Sequence, residues 1–166
     1  NFIPQNKEIS FKKGHLNFNY RVVAVIIKDD KVLLHRSQSD RHWSLPGGRC
    51  ELLETSKDAL KREIKEEINI NCNVKRLLWV VENFFELAGE KHQEIGLYYK
   101  VGLPEDCNIV NKAEFKGKEG EIDLRFKWFC VEELKNIKLY PAFLKKELKF
   151  LPENVKHVLN NKLKNC

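Results

Sequence analysis

The sequence contains no Met, only 5 Pro and 8 Gly, and no apolar run long enough to cross a bilayer. A membrane-spanning helix needs about 20 consecutive apolar residues, so a helical membrane protein is excluded. With no Pro-, Gly- or Ser-rich stretch there is no candidate linker. No internal repeat or low-complexity tract interrupts the chain, and its 166 residues read as one domain over 1–166. The five cysteines, Cys50, Cys72, Cys107, Cys130 and Cys166, form no C-x-x-C pair. That excludes a disulfide framework and a zinc cage. The five histidines, His15, His35, His42, His92 and His157, show no ligand spacing either. Scattered free thiols, with no basic-then-apolar leader at Asn1–Gln5, give the expectation of a cytoplasmic protein. The missing Met points to a trimmed or processed start.

What is present is a charge-rich globular composition. Hydrophobic residues make up 42% and charged residues 33%, which suits a packed core and argues against extended disorder. Lys and Arg total 30 against 24 Asp and Glu, a net charge of +6. Such an excess favours anionic partners such as nucleotide phosphates, without the dense basic stripe of a dedicated nucleic-acid binder.

Residues 1–19 read as irregular, with a short strand and a covering segment. Two β-branched runs, Val22–Ile27 and Val32–His35, flank an Asp-rich turn and read as a hairpin. Thr55 followed by Asp58, with Leu60, Ile64 and Ile68 on one face, predicts a helix over Thr55–Ile68. Strands are expected at Val74–Glu86 and Glu94–Leu103, joined by a turn around Gly89, and again at Ile122–Val131. Short helices are expected at Glu132–Lys135 and Ala142–Phe150. In the tail, Glu153–Leu163, apolar residues Val155, Val158, Leu159 and Leu163 share one helical face, which predicts a helix there. Strands interleaved with helices indicate an α/β fold: a mixed sheet covered by helices on both faces.

The central helix breaks local electrostatic rules. Measured from Leu60, Ile64 and Ile68 lie at about 40° and about 80° on the wheel, while Glu66, Glu63 and Glu67 lie at about 240°, 300° and 340°. Glu67 therefore sits almost on the apolar stripe. Glutamates at i, i+3 and i+4 repel by about 0.2–0.5 kcal/mol per pair. They also crowd the helix's C-terminal half, where its dipole disfavours anions. One resolution is a hard cation such as Mg²⁺, which accepts carboxylate oxygens and substrate phosphates. The other is a solvated acidic face balanced by Lys57, Lys61 and Lys65.

The upstream residues favour the cation. Gly48 is followed after five residues by Glu54, and after seven more by Arg62-Glu63-Ile64-Lys65-Glu66-Glu67-Ile68-Asn69-Ile70. This pattern resembles the Nudix box, G-x5-E-x7-R-E-U-x-E-E-x-G-U, with U aliphatic, and Leu45-Pro46-Gly47-Gly48 resembles the family lead-in. The match departs at Asn69, which stands at the last Gly. Asn is the next best residue for a left-handed position past a helix end. Leu53 stands where many members have Gly.

The resemblance implies a Nudix fold, an α/β/α sandwich with a mixed β-sheet, whose box spans 48–70. It implies Mg²⁺-dependent hydrolysis (Mn²⁺ substituting) of a nucleoside diphosphate linked to another moiety, with release of a nucleoside monophosphate. Carried over by position, Glu63, Glu66 and Glu67 would ligate the metal with the carbonyl of Gly48. Glu54 and Arg62 would brace the loop and the glutamates. The general base in the family is either the first Glu of the run, here Glu63, or a Glu on a downstream loop. That loop is Glu114–Glu121, where Glu119 lies between two glycines and Glu121 is its close competitor.

Phe84 and Phe85 end a long apolar strand and could stack on a base or pack in the core. Glu82 and Asn83, polar inside an apolar strand, need partners: they either face the cleft and read a base edge or lie on an exposed sheet edge. Arg21 and Arg36, at strand ends near the box loop, are candidate phosphate contacts or, equally, ordinary surface charges. Lys135, Lys138, Lys145, Lys146 and Lys149 make a basic C-terminal region. The expected partner is a small nucleotide, acting on a monomer or homodimer and away from membranes. The alternatives are an RNA 5′-end pyrophosphohydrolase and a Nudix-fold nucleotide sensor without catalysis.

Overall fold

A computed structural model describes residues 6–163; the expectations placed on Asn1–Gln5 and on Cys166 lie outside them. Among the described residues ten strands and two α-helices form in chain order. β1 (Ser10–Lys13), β2 (Leu16–Val25), β7 (Glu90–Gly102), β6 (Asn73–Leu87) and β10 (Lys156–Asn161) make one sheet in that order, with β5 (Gly47–Arg49) also paired to β2. The sheet is mixed, because β2–β7 and β6–β10 are parallel and the remaining pairs antiparallel. A second, antiparallel sheet has the order β3 (Ile27–Lys28), β4 (Lys31–Ser37), β9 (Ile122–Cys130), β8 (Glu114–Glu119).

Alternation along β2 explains the layering. Val22 and Ala24 join one core with Leu60 and Ile64 of the helix α1 (Ser56–Ile68), together with Leu33 and Phe126. Val23 and Val25 point the other way, into a second core with Trp79 and Leu134, the latter in a 3-10 turn over Val131–Asn136. Leu144 of the four-residue helix α2 (Leu144–Glu147) closes that side. Helical layers thus cover both faces, as the α/β/α reading expects.

Three sequence expectations change. The Asp-rich turn exists, with Asp29 and Asp30 at φ 51° and 60°. Only Ile27 and Lys28 turn back onto β4, while β2 stays in the other sheet beside β7. The charged segment Glu114–Glu121, expected as a loop, is mostly strand β8 and its turn with β9. The tail helix is a correction: residues 156–161 form β10, parallel to β6. The fifteen-residue β6 leaves an unpaired edge, and its backbone groups need partners. β10 supplies them, placing half-buried Val158 against the second core. Apolar residues at Val155, Val158 and Leu159 satisfy a helical spacing by coincidence. Val155 and Leu159 are in fact solvent-exposed.

Cys50, Cys72, Cys107 and Cys130 are free thiols. Among the described residues, no helix is long and apolar enough to cross a membrane.

Candidate active site

The helix α1 presents its acidic face because both its ends are fixed. Thr55 Oγ1 accepts from the Asp58 amide at 3.2 Å, capping the start. Asn69 closes the end at φ 55°, ψ 38°, with its amide donating to the Lys65 carbonyl. Asn therefore adopts the left-handed conformation that Gly would have supplied. Buried Leu60 and Ile64 set the helix rotation, and the i+3 and i+4 spacing then carries Glu63 and Glu67 inward beside them.

Arg62 is the hub. Its Nε and Nη2 donate to Glu54 Oε2 and Oε1 at 3.1 and 2.7 Å, a bidentate fork. Nη2 also donates to the Arg49 carbonyl at 3.0 Å, and Nη1 to Glu63 Oε1 at 3.0 Å. Glu54 in turn accepts from the Glu51 amide at 2.7 Å. One guanidinium thereby ties the loop before α1 to the helix. The hydrogen bond from Arg62 holds the Glu54 carboxyl below its usual range, and Glu54 raises the guanidinium pKa further.

The inner carboxylates behave in the opposite way. Glu63 is 9% exposed, and burial pushes it up to about 7 despite Arg62. Glu67 is 3% exposed and is pushed up to about 9, first by burial, then by the charges of Glu63 and Glu119. Both Glu67 oxygens are buried without a hydrogen-bond partner. Glu63 lies against Gly48, where a β-carbon would stand 2.2 Å from its Cδ. Only glycine admits the carboxylate so close to that backbone.

An open cavity of about 410 Å³ fronts this arrangement, lined by Glu63 and Glu66 on α1, by Arg21, Arg49 and Arg62, and by Glu119 and Gly120 on the β8–β9 turn. β8 reaches α1 because Gly117 packs against it. A β-carbon on Gly117 would lie 2.6 Å from the Glu67 carbonyl and 2.5 Å from the Phe126 ring. Among the described residues, no three His, Cys, Asp or Glu side chains are gathered around one point as a finished metal cage. Glu63 is turned toward Arg62, and the Glu66 side chain is 58% exposed. The donor chemistry nevertheless fits a hard cation: three carboxylates, Glu54, Glu63 and Glu66, share the single guanidinium of Arg62, Glu67 has no hydrogen-bond partner at all, and the backbone at Gly48 is bare.

The family model described as NUDIX domain matches residues 18–152 of the chain. The chain belongs to the NUDIX domain family. It is 30% identical over 128 residues to the "Putative nudix hydrolase 1" of Caenorhabditis elegans, covering 73% of this chain and 31% of that protein. It is 39% identical over 70 residues to a Homo sapiens 8-oxo-dGDP phosphatase, covering 40% of this chain and 22% of the relative. The chain spans about a fifth to a third of the length of these two curated relatives. The fold matches the "MutT protein" from Methanosarcina mazei Go1 with a TM-score of 0.58 at 21% identity, covering 80% of this chain and 91% of that one. It matches a UDP-X diphosphatase with a TM-score of 0.57 at 21% identity, over 84% and 66% of the two chains.

Within this NUDIX domain, Glu54, Arg62, Glu63, Glu66, Glu119 and Arg21 gather at the cavity or brace it, with Gly48 and Glu67 beneath. Glu121 is not among the lining residues. The other candidates lie elsewhere. Arg36 stacks over the Trp43 ring at 4.7 Å, on the face of β4 opposite His35. Glu82 accepts its partner from β10, with His157 Nε2 at 2.7 Å, and Asn83 pairs with Asn160. Phe85 stacks on His92 with ring centroids 4.8 Å apart, and Phe84 is half-buried on the same strand.

Arg49 and Glu51 line the NUDIX cavity without having been singled out in the sequence. They flank buried Cys50, so strand alternation out of Gly48 was the available signal. His35 was also missed. It is 8% exposed, with Nδ1 unpartnered and 3.8 Å from Glu67 Oε2. Burial, then Arg21, pushes its pKa down to about 4, so the ring is neutral. The signal was a polar residue ending the apolar run Val32-Leu33-Leu34.

Proposed function

We propose that the NUDIX domain hydrolyses a nucleoside diphosphate linked to another moiety and releases a nucleoside monophosphate. Mg²⁺ is the expected cofactor, with Mn²⁺ as a substitute, held by Glu63, Glu66, Glu67 and the Gly48 carbonyl. The carrying observation is Glu67: a buried carboxylate without a partner, beside two further glutamates, stays protonated until a cation neutralises the group. The relatives, an 8-oxo-dGDP phosphatase among them, support the same class of small nucleotide substrate.

When bound, the cation supplies phosphate charge neutralisation and a more acidic attacking water. The chain's own residues do the rest. The Arg62–Glu54 fork holds α1 and the preceding loop rigid, so the glutamates keep their spacing. Arg21 and Arg49 give the cavity wall positive charge suited to the flanking phosphate oxygens. Glu119 reaches the cavity from the β8–β9 turn and takes the proton of the attacking water. Glu63, with its pKa near neutrality, is the competing base.

The test is a nucleotide panel with Mg²⁺ in oxygen-18 water. Glu66→Gln and Glu67→Gln should each lower kcat by at least a hundredfold while thermal unfolding stays cooperative. Wild-type turnover in both variants refutes the reading. Glu119→Gln should lower kcat more than the metal affinity.

A further inference from the structure

We propose that His35 is a positioning residue for Glu67, its ring Nδ1 orienting the carboxylate that faces the cation. The inference rests on the metal site just described. Among the described residues four buried side-chain polar atoms lack a hydrogen-bond partner, and three of them are His35 Nδ1 and the two oxygens of Glu67. An unsatisfied buried polar group costs about 1–3 kcal/mol, so three in one place are not a product of indifferent packing. Two belong to the carboxylate whose burial the electrostatics oppose most, and the third faces it at 3.8 Å. That gap is too wide for a hydrogen bond and narrow enough for a small rotation about one side-chain bond to close.

The backbone fixes His35 for this role. On β4 its amide and carbonyl exchange bonds with Ser44 at 2.9 and 3.0 Å. Its ring lies on Phe126 of β9, with centroids 5.3 Å apart. The strand is held in the second sheet and Glu67 on α1, so the pair spans the two elements. A neutral imidazole carries one N–H and one lone pair. With the N–H on Nδ1, it donates to the Glu67 oxygen that does not ligate, leaving the other oxygen fixed in direction. A carboxylate held this way loses less freedom on binding an ion. Removing such a hydrogen-bonded supporter typically weakens metal affinity about 10–100-fold.

The experiment measures Mn²⁺ dissociation constants of the full chain by titration calorimetry and Mn²⁺ electron paramagnetic resonance. The variants are His35→Leu, His35→Asn, His35→Gln and Glu67→Gln. Asn places an amide nitrogen where Nδ1 stood; Gln extends past it, and Leu fills the volume without a donor. We expect Mn²⁺ binding weakened at least tenfold in His35→Leu and His35→Gln, and within about threefold of wild type in His35→Asn. Wild-type affinity in His35→Leu, with Glu67→Gln strongly weakened, overturns the positioning role and leaves the metal site standing. Wild-type affinity in Glu67→Gln overturns the metal site itself. Equal weakening in His35→Asn and His35→Gln assigns the loss to packing and also overturns the proposal. Should His35→Leu not fold, the Asn–Gln comparison alone decides.

Discussion

The Glu63 carboxylate rests on the backbone of Gly48, in the space where a β-carbon would stand 2.2 Å from its Cδ. The side chain of one residue occupies the missing side chain of the other. Gly48→Ala should therefore fold, since the neighbour is a flexible side chain, and should swing Glu63 off the cavity floor. We expect kcat/KM to fall about tenfold to a hundredfold with a small change in thermal midpoint. Steady-state kinetics beside differential scanning calorimetry checks both halves.

Arg62 cannot be replaced by another cation. Lysine offers a point charge and no fork, so Arg62→Lys gives up the bidentate pair with Glu54 and the bond to the Arg49 carbonyl. The expected cost is about 1–2 kcal/mol of stability, together with a kcat loss that added Mn²⁺ does not restore. Urea unfolding and a metal titration of activity read the two effects separately.

Leu53 occupies the left-handed region at φ 66° and is fully exposed. That conformation costs a residue with a β-carbon about 1–2 kcal/mol, of which glycine's greater unfolded-state entropy returns about 0.5–1. Leu53→Gly should thus raise the thermal midpoint by about 1–2 °C, with activity retained. A lower midpoint in calorimetry contradicts the strain argument.

Glu67 makes the metal-free protein sensitive to alkali. Its folded pKa, about 9, exceeds the ordinary 4.5 of the unfolded chain. Between those values the folded state holds a proton that the unfolded state has released, so stability falls as pH rises through the window. Glu67→Gln removes this contribution and leaves the smaller one of Glu63, whose pKa is pushed up to about 7. With chelator present, the variant and the wild type should unfold at similar temperatures near pH 5. The variant should gain steadily toward pH 9. Mn²⁺ should then stabilise the wild type at high pH and leave the variant unmoved.

The helix and its inward-facing glutamates were legible because the box is a local pattern. Spacing along α1 alone places Glu63 and Glu67 beside the apolar stripe, and Thr55 and Asn69 mark its ends. The long β6–β7 hairpin was equally plain, since alternation and a glycine turn are short-range signals. What misled was the tail. Val155, Val158 and Leu159 fit a helix, and only the free edge of β6 made them a strand. For Glu82 and Asn83 the sequence left both a base edge and an exposed sheet edge open, and β10 takes their hydrogen bonds.

By itself the sequence determined the family, the acidic helix and the brace around Arg62, because each depends on residues within a few turns of one another. The tertiary structure alone decided that His35 faces Glu67, that Glu119 lines the cavity, and that Arg36 and Phe85 stand apart from it. These contacts join segments far separated in the chain. Their geometry comes from sheet register and the packing of β8 against α1 through Gly117, which no local spacing encodes.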